Sequence, residues 1–396
     1  MTLPLLSDDE RRRRIAVRHG LAPDARLGSA EAVARAVVGL HATEQASVHL
    51  SVWARTDHVE PHDITRALEV ERTLVRQVSM RRTLFAVPTD LRACLLGSAA
   101  ARAAAPQRRR LLRAIEASGL ASDPDAWLAR VSDDVVRALD AHGPLRPPQL
   151  REAVGILDTP VNVAPGTKWG RPLPVSQYVL DVLTAEGTVV RAGNAGGWHQ
   201  PRPTYASADA WLPGAEDSVG EREGYAEVVR RWLAAFGPGT EADLVWWLGA
   251  TKTAVRNALR DVDAAEVVLE DGATAWVLPG DTGPTDDPGP WAALLPVLDP
   301  TTMGWRGRDF YLSAADVRYL VDSVGNASTT AWWNGRIVGC WVQEEDATVR
   351  VVPRGELPSA ARRALAHEAD RLTAWLAGTM LGLTYNRAQS AGAPLP

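Results

Sequence analysis

FGPGTEADLVWWLGATKTAVRNALRDVDAAEVVLEDGATAWVLPG, residues 236–280, decides how the rest of the chain is read. Before it, YAEVVRRWLAAF places Val228, Val229, Trp232 and Leu233 at helical spacing. Gly237-Pro238 stops that helix, and Thr240 with Glu241 opens the next as an N-cap followed by an acidic first turn. Thr253 is expected to cap a third helix, TAVRNALRDV. AEVVLED and TAWVLPG then alternate as strands about Gly272, which predicts a tight hairpin. Three helices followed by a hairpin is the order of a winged helix.

Working outward, the same plan recurs. In SDDVVRALDAHGPLRPPQLREAV, Gly143-Pro144 and Leu150 keep the spacing of Gly237-Pro238 and Leu244. A long Gly/Pro-rich connection, LDTPVNVAPGTKWGRPLP, precedes the helix VSQYVLDVLTAEG and the strands TVVRAG and WHQPRPTYA. A third copy opens the chain. Its helices lie in SDDERRRRIAVRHG, SAEAVARAVVGL, ASVHLSVWAR and DITRALEV, and its hairpin is TLVRQVS with RTLFAVP, joined at Met80 and Arg81. Thr89 caps a following helix, and RRRLLRAIEAS continues it as a linker. After PGDTGPTDDPGP the pattern changes to strands, WAALLPVLD, TTAWW and RIVGCW about Asn334-Gly335, then TVRVVP and a closing helix. The expected fold is therefore α+β: winged helices at 1–100, 131–212 and 220–280, a helical linker at 101–130, and a small β-rich C-terminal domain at 285–396.

The chain has 396 residues, 46% of them hydrophobic, enough for several cores. No long uncharged apolar run exists, so no membrane span is expected. The basic cluster near the N-terminus follows its short apolar stretch, the reverse of a signal peptide. Cys94 and Cys340 are far apart among apolar residues, as in reduced core thiols of a cytoplasmic protein, and no Cys/His spacing suits zinc. The net charge of −5 excludes a generally basic nucleic-acid coat but not a local basic face. Positive charge is almost all arginine, clustered at 11–14 with 18, at 81–82, and at 108–110 with 113. Taken alone, each cluster reads as a solvated helix face, although the guanidinium fork suits phosphate oxygens.

Four stretches, VVGLHATEQASVHLSVWAR, SMRRTLFAVPTDL, FGPGTEADLVWWLGAT, and LLPVLDPTTMGWRGRD paired with TTAWWNGRIVGCW, resemble the AlkZ-like (YcaQ-like) winged-helix DNA glycosylases. The resemblance spans nearly the whole chain. It implies three tandem winged helices and a β-rich C-terminal domain arranged around a DNA channel. It also implies excision of N7-alkylated or bulky purine adducts from damaged double-stranded DNA, by a monomer that needs no metal or organic cofactor.

An N7-alkylated purine is cationic and leaves readily, so the enzyme has to stabilise an oxocarbenium-like sugar and place a water at C1′. In the family this falls to Gln-x-Gln or Gln-x-Asp after Gly-Leu. Here the matching residues are His41 and Thr43, so the family pattern is departed from and no carboxylate is supplied. On the resemblance, His41 takes the water's proton through a neutral imidazole and Thr43 orients the water. On the residues alone, His41 is a capping or core-edge histidine bonded to a backbone carbonyl and Thr43 the N-cap of EQASVHLSVW. His49 reads as structural. Arg81 and Arg82, at the first wing, and Lys168 with Trp169, in the long loop, are the candidate DNA contacts; surface packing is the alternative for each. Trp246, Trp247, Trp332 and Trp333 are expected as core anchors. Two rival readings stay open: a non-catalytic DNA-binding protein of the same fold, such as a regulator or damage sensor, and an assembly factor that uses winged helices as protein docking surfaces.

Overall fold

A computed structural model describes residues 3–163, 166, 170–382 and 386–396. The unit around residue 240 forms as its sequence demands. Helix Glu221–Phe236 ends before Gly237. Thr240 and Asp243 then close a reciprocal capping box on helix Glu241–Leu248, and Gly249 ends it in the left-handed region at φ 65°. The third helix, Lys252–Asp261, is capped by Thr251 rather than Thr253. Thr251 is the threonine left in extended backbone after Gly249, so its hydroxyl reaches the Ala254 N–H at 3.1 Å. Strands Ala265–Leu269 and Thr274–Val277 pair antiparallel about Gly272. A two-residue strand, Leu5–Leu6, adds to this hairpin in parallel, an element too short to leave a period in the sequence.

The chain's first hundred residues hold helices Asp8–Arg18, Ala30–Ala36, Ser47–Trp53 and Pro61–Glu69. They also hold a sheet in which the Leu84–Pro88 strand is central, flanked by Leu74–Val78 and by Leu40–His41. Helix Pro124–His142, helix Pro147–Ala153, helix Val175–Glu186 and the Val189–Asn194/Pro203–Ser207 hairpin form the next group. The C-terminal part is a four-stranded antiparallel meander, Ala292–Leu295, Thr330–Trp333, Arg336–Gln343 and Val349–Pro353, covered by helix Ser359–Leu376. Asn334 (φ 46°) and Gly335 (φ 79°) make its tight turn, and a side chain at 335 would strike Arg12.

One core joins the first group, the third and the C-terminal sheet. At its centre Phe236 and Trp305 meet edge to face at 5.2 Å, and Trp232 stacks on Phe236 at 5.5 Å. The helices of the second group have a core of their own, to which the 101–130 segment contributes Leu111, Ile115, Trp127 and Leu128, while Val190, Ala192 and Ala206 of its hairpin join the first core. Side chains bridge the two: Gln77 donates to the Thr184 carbonyl, Arg76 to Ala192 and Arg92 to Gly187.

The N-terminal arginines are not a solvated face. Arg11, Arg12 and Arg14 are buried. Arg14 holds Glu10, Asp281 and the carbonyls of Gly237, Asp281 and Gly283, tying the first helix to the third unit. Arg55 and Asp299 form an ion pair with no exposed surface at 2.6 Å. Asp299 also accepts from Ser51 and from the Thr301 N–H, and Thr301 in turn bonds His19 at 2.8 Å. The DPTT stretch is thus a polar lock between helix Ser47–Trp53 and the C-terminal sheet. Among the described residues, no helix is long and apolar enough to cross a membrane.

Candidate active site and nucleic-acid interface

The GLHAT stretch is the edge of a sheet, not a joint between helices. Val38 adopts φ 64° and breaks the preceding helix. Gly39 follows with no room for a side chain, since a Cβ there would lie 2.8 Å from Val87. Leu40 and His41 then pair with Ala86 and Phe85. The Ala42 N–H continues the pairing to the Leu84 carbonyl at 2.8 Å.

His41 is only 3% exposed and its ring lies 4.9 Å from that of Phe85. Burial, helped by the nearby Arg81 charge, pushes its pKa down to about 3, so the ring is neutral at physiological pH. Nδ1 accepts the Thr43 N–H at 3.4 Å, a long bond that assigns the ring proton to Nε2. A neutral imidazole at His41 is also the form that the sequence expectation requires. It is a weak base, and the bond at Nδ1 leaves Nε2–H as a donor. Among the described residues Nε2 has no protein partner.

Thr43 is exposed, and its hydroxyl oxygen accepts the Leu84 N–H at 3.4 Å. It is not the cap expected from the sequence, because the helix starts only at Ser47, after Ala46, with no side-chain cap. Glu44 and Gln45 are half-buried between Thr43 and that helix. Gln45 accepts from Arg191 of the second hairpin at 2.8 Å, so the two units meet beside the GLHAT edge. His49 belongs to the packing: it bonds Thr65 at 3.2 Å and stacks on Trp198 at 4.9 Å.

Arg81 and Arg82 occupy the turn between strands Leu74–Val78 and Leu84–Pro88, both in the left-handed region (φ 52° and 62°). Two consecutive non-glycine residues there are costly and need support from their surroundings. Gly249 supplies part of it, since a Cβ there would sit 3.3 Å from the Arg81 nitrogen. The Arg81 guanidinium lies 4.3 Å over the Trp246 ring, and Arg308 approaches the same ring at 5.6 Å. Burial, then the Arg308 charge, pushes the Arg81 pKa down to about 10. Trp246 packs against the core with one part and is also a half-buried platform for two cations; Trp333 is half-buried against the same core, and Trp247 and Trp332 are buried as expected. Arg82 is exposed. Lys168 and Trp169 lie outside the described residues. Trp246, Arg308 and Arg191 were not singled out in the sequence as site residues; aromatic and basic types give no sign of which will meet.

The helix–hairpin units bring the exposed Thr43 hydroxyl and the Arg81–Arg82 turn to one region of the molecule. The model of the family "DNA glycosylase AlkZ-like" matches residues 34–375, and the chain belongs to that family of DNA glycosylases. Among solved structures, Streptomyces sahachiroi DNA glycosylase AlkZ matches with a TM-score of 0.73 at 20% identity, over 94% of this chain and 98% of that one, which shows a shared fold. No curated protein matches.

Proposed function

We propose that the chain hydrolyses the N-glycosidic bond of N7-alkylated or bulky-adduct purines in duplex DNA. Its three helix–hairpin units would hold the duplex as a monomer, in the manner of tandem winged helices. The observation that carries the reading is a pair of groups with hydrogen-bonding capacity to spare at one strand edge, the Nε2–H of His41 and the exposed Thr43 hydroxyl. A neutral donor is adequate there because the leaving base is already cationic and needs no proton.

The chemistry follows from those two groups. The C1′–N9 bond breaks with its electron pair going to the purine, which leaves neutral. Nε2–H of His41 donates to a water oxygen, and the Thr43 oxygen accepts one of that water's hydrogens. A lone pair of the water then faces the oxocarbenium-like C1′, forms the new C–O bond, and the surplus proton passes to solvent. Arg81 and Arg82 fix the strand through its phosphates. With no carboxylate in the pair, charge stabilisation of the sugar is weaker than in relatives carrying Asp.

Incubation with a duplex holding one N7-methylguanine, followed by alkaline cleavage, tests this. Strand breaks from the wild type, and at least ten-fold fewer from a folded His41→Ala variant, are expected. Tight duplex binding with no base release from this or a bulkier N7 adduct would favour a non-catalytic DNA-binding role instead.

A further inference from the structure

The arginines of this chain divide by what neutralises them. Arg35 and Arg231 share Asp90, Arg108 holds Asp125 and Glu186, and Arg222 holds Asp261. A cleft of about 740 Å³ between the 79–83 turn, the 97–109 helical segment and the end of helix Glu241–Leu248 collects arginines that lack such partners. Arg81, Arg82, Arg102 and Arg109 line it, against the single carboxylate of Glu221. Arg82 and Arg109 are exposed, and among the described residues neither has an acidic partner. Arg102 is aimed by one bond, Nε to the Gly249 carbonyl at 2.6 Å, which leaves its outer nitrogens unused. Arg81 has a buried Nε with no acceptor among the described residues.

Such an arrangement costs stability. Like charges are held together, a buried donor is unfilled, and the backbone is strained at two residues. An anion in the cleft would pair with the exposed guanidinium donors of Arg82, Arg102 and Arg109, and a cationic base would be repelled. The position fixes which anion. Leu84 bonds the Thr43 hydroxyl, and Arg82 is two residues from Leu84, at most about 7 Å along the chain. A strand whose sugar sits at Thr43 would therefore lead its next phosphates into the cleft.

We propose that this cleft is a phosphodiester-binding site that grips the DNA strand beside the target nucleotide. Arg82 and Arg109 are the outer contacting cations, Arg102 lines the same cleft, and Arg81, seated on Trp246, adds its charge from the wing side. This rests on the glycosylase reading above, and extends the interface from the wing onto the 97–109 segment. The test is fluorescence-anisotropy titration of an undamaged duplex across a range of salt concentrations. The proteins are the wild type, Arg82→Ala/Arg109→Ala, and Arg362→Ala as a control on the exposed face of the C-terminal helix. Each lost phosphate contact lowers the slope of log K against log[salt] by about 0.9 for B-form DNA, so the double variant should lose about 2 and the control nothing. An unchanged slope in the double variant, with wild-type DNA binding intact, would overturn the cleft. No DNA binding by the wild type would overturn the glycosylase reading itself. Both altered side chains are exposed, so thermal melting should show the double variant folded.

Discussion

Two buried histidines mark two kinds of region. His19 and His41 both have their pKa pushed down to about 3, mainly by burial. His19 has both nitrogens filled, Nδ1 with Thr301 at 2.8 Å and Nε2 with the Ala235 carbonyl at 3.1 Å. It belongs to the lock around Arg55 and Asp299, where both outer guanidinium nitrogens and both carboxylate oxygens are bonded, and only the Arg55 Nε has no partner among the described residues. His41 has one long bond and one nitrogen without a protein partner, on a strand edge whose next hydroxyl is exposed. The desolvation is alike; the bonding is not. A nearly saturated polar network fixes how elements dock, and a less saturated one at an open edge leaves donors for something that arrives from outside.

The lock is the easiest side of the comparison to break. Asp299→Asn keeps the shape but leaves the Arg55 guanidinium buried without its counter-charge. Urea unfolding should show a loss of roughly 3–5 kcal/mol; a loss under 1 kcal/mol would mean that the network is not the junction described here. Acid should act on both regions together. His19, His41 and His49 are all held near 3, below the unfolded value of about 6.5, so unfolding takes up protons. Their stabilisation is complete above pH 6.5 and is lost as pH falls toward 3. Between pH 6 and 5 the slope should approach three protons, roughly 4 kcal/mol per pH unit. Equal stability at pH 7 and pH 5 would contradict their burial as neutral rings.

The open edge should show the opposite pattern. Thr43→Ala removes an exposed hydroxyl and one long bond, so its stability should stay within about 0.5 kcal/mol of wild type. Single-turnover base release should fall by about 10²-fold, the scale of one positioned catalytic group. His41→Gln, which restores the residue typical of the family, should retain base release where His41→Ala does not. The smallest expected effect is at the platform. Trp246→Leu removes the seat of Arg81 and should weaken duplex binding by about 0.5–1 kcal/mol, read by anisotropy.

The N-cap at Thr240, the hairpin at Gly272 and the Asn334-Gly335 turn were legible because each rests on local chemistry of a few adjacent residues. The strands Leu5–Leu6 and Leu40–His41 were not: two residues carry no period, and their pairing comes from partners at 268–269 and 85–86. The same limit governs charge. Nothing local separates Arg14, buried among Glu10, Asp281 and carbonyls, from Arg82, exposed with no acidic partner among the described residues. His41 and Thr43 were found through the family motif. Their surroundings, a strand edge against Phe85 and a hydroxyl held by Leu84, arise only when distant segments pair.

The most direct measurement is the single-turnover rate of 7-methylguanine release per folded molecule, for His41→Ala beside His19→Phe. The expected result is a fall of at least ten-fold for His41→Ala. For His19→Phe the melting temperature should drop, with the rate per folded molecule kept within a few-fold of wild type. A His41→Ala rate equal to wild type, or a larger loss from His19→Phe than from His41→Ala, would contradict the assignment of chemistry to the open edge.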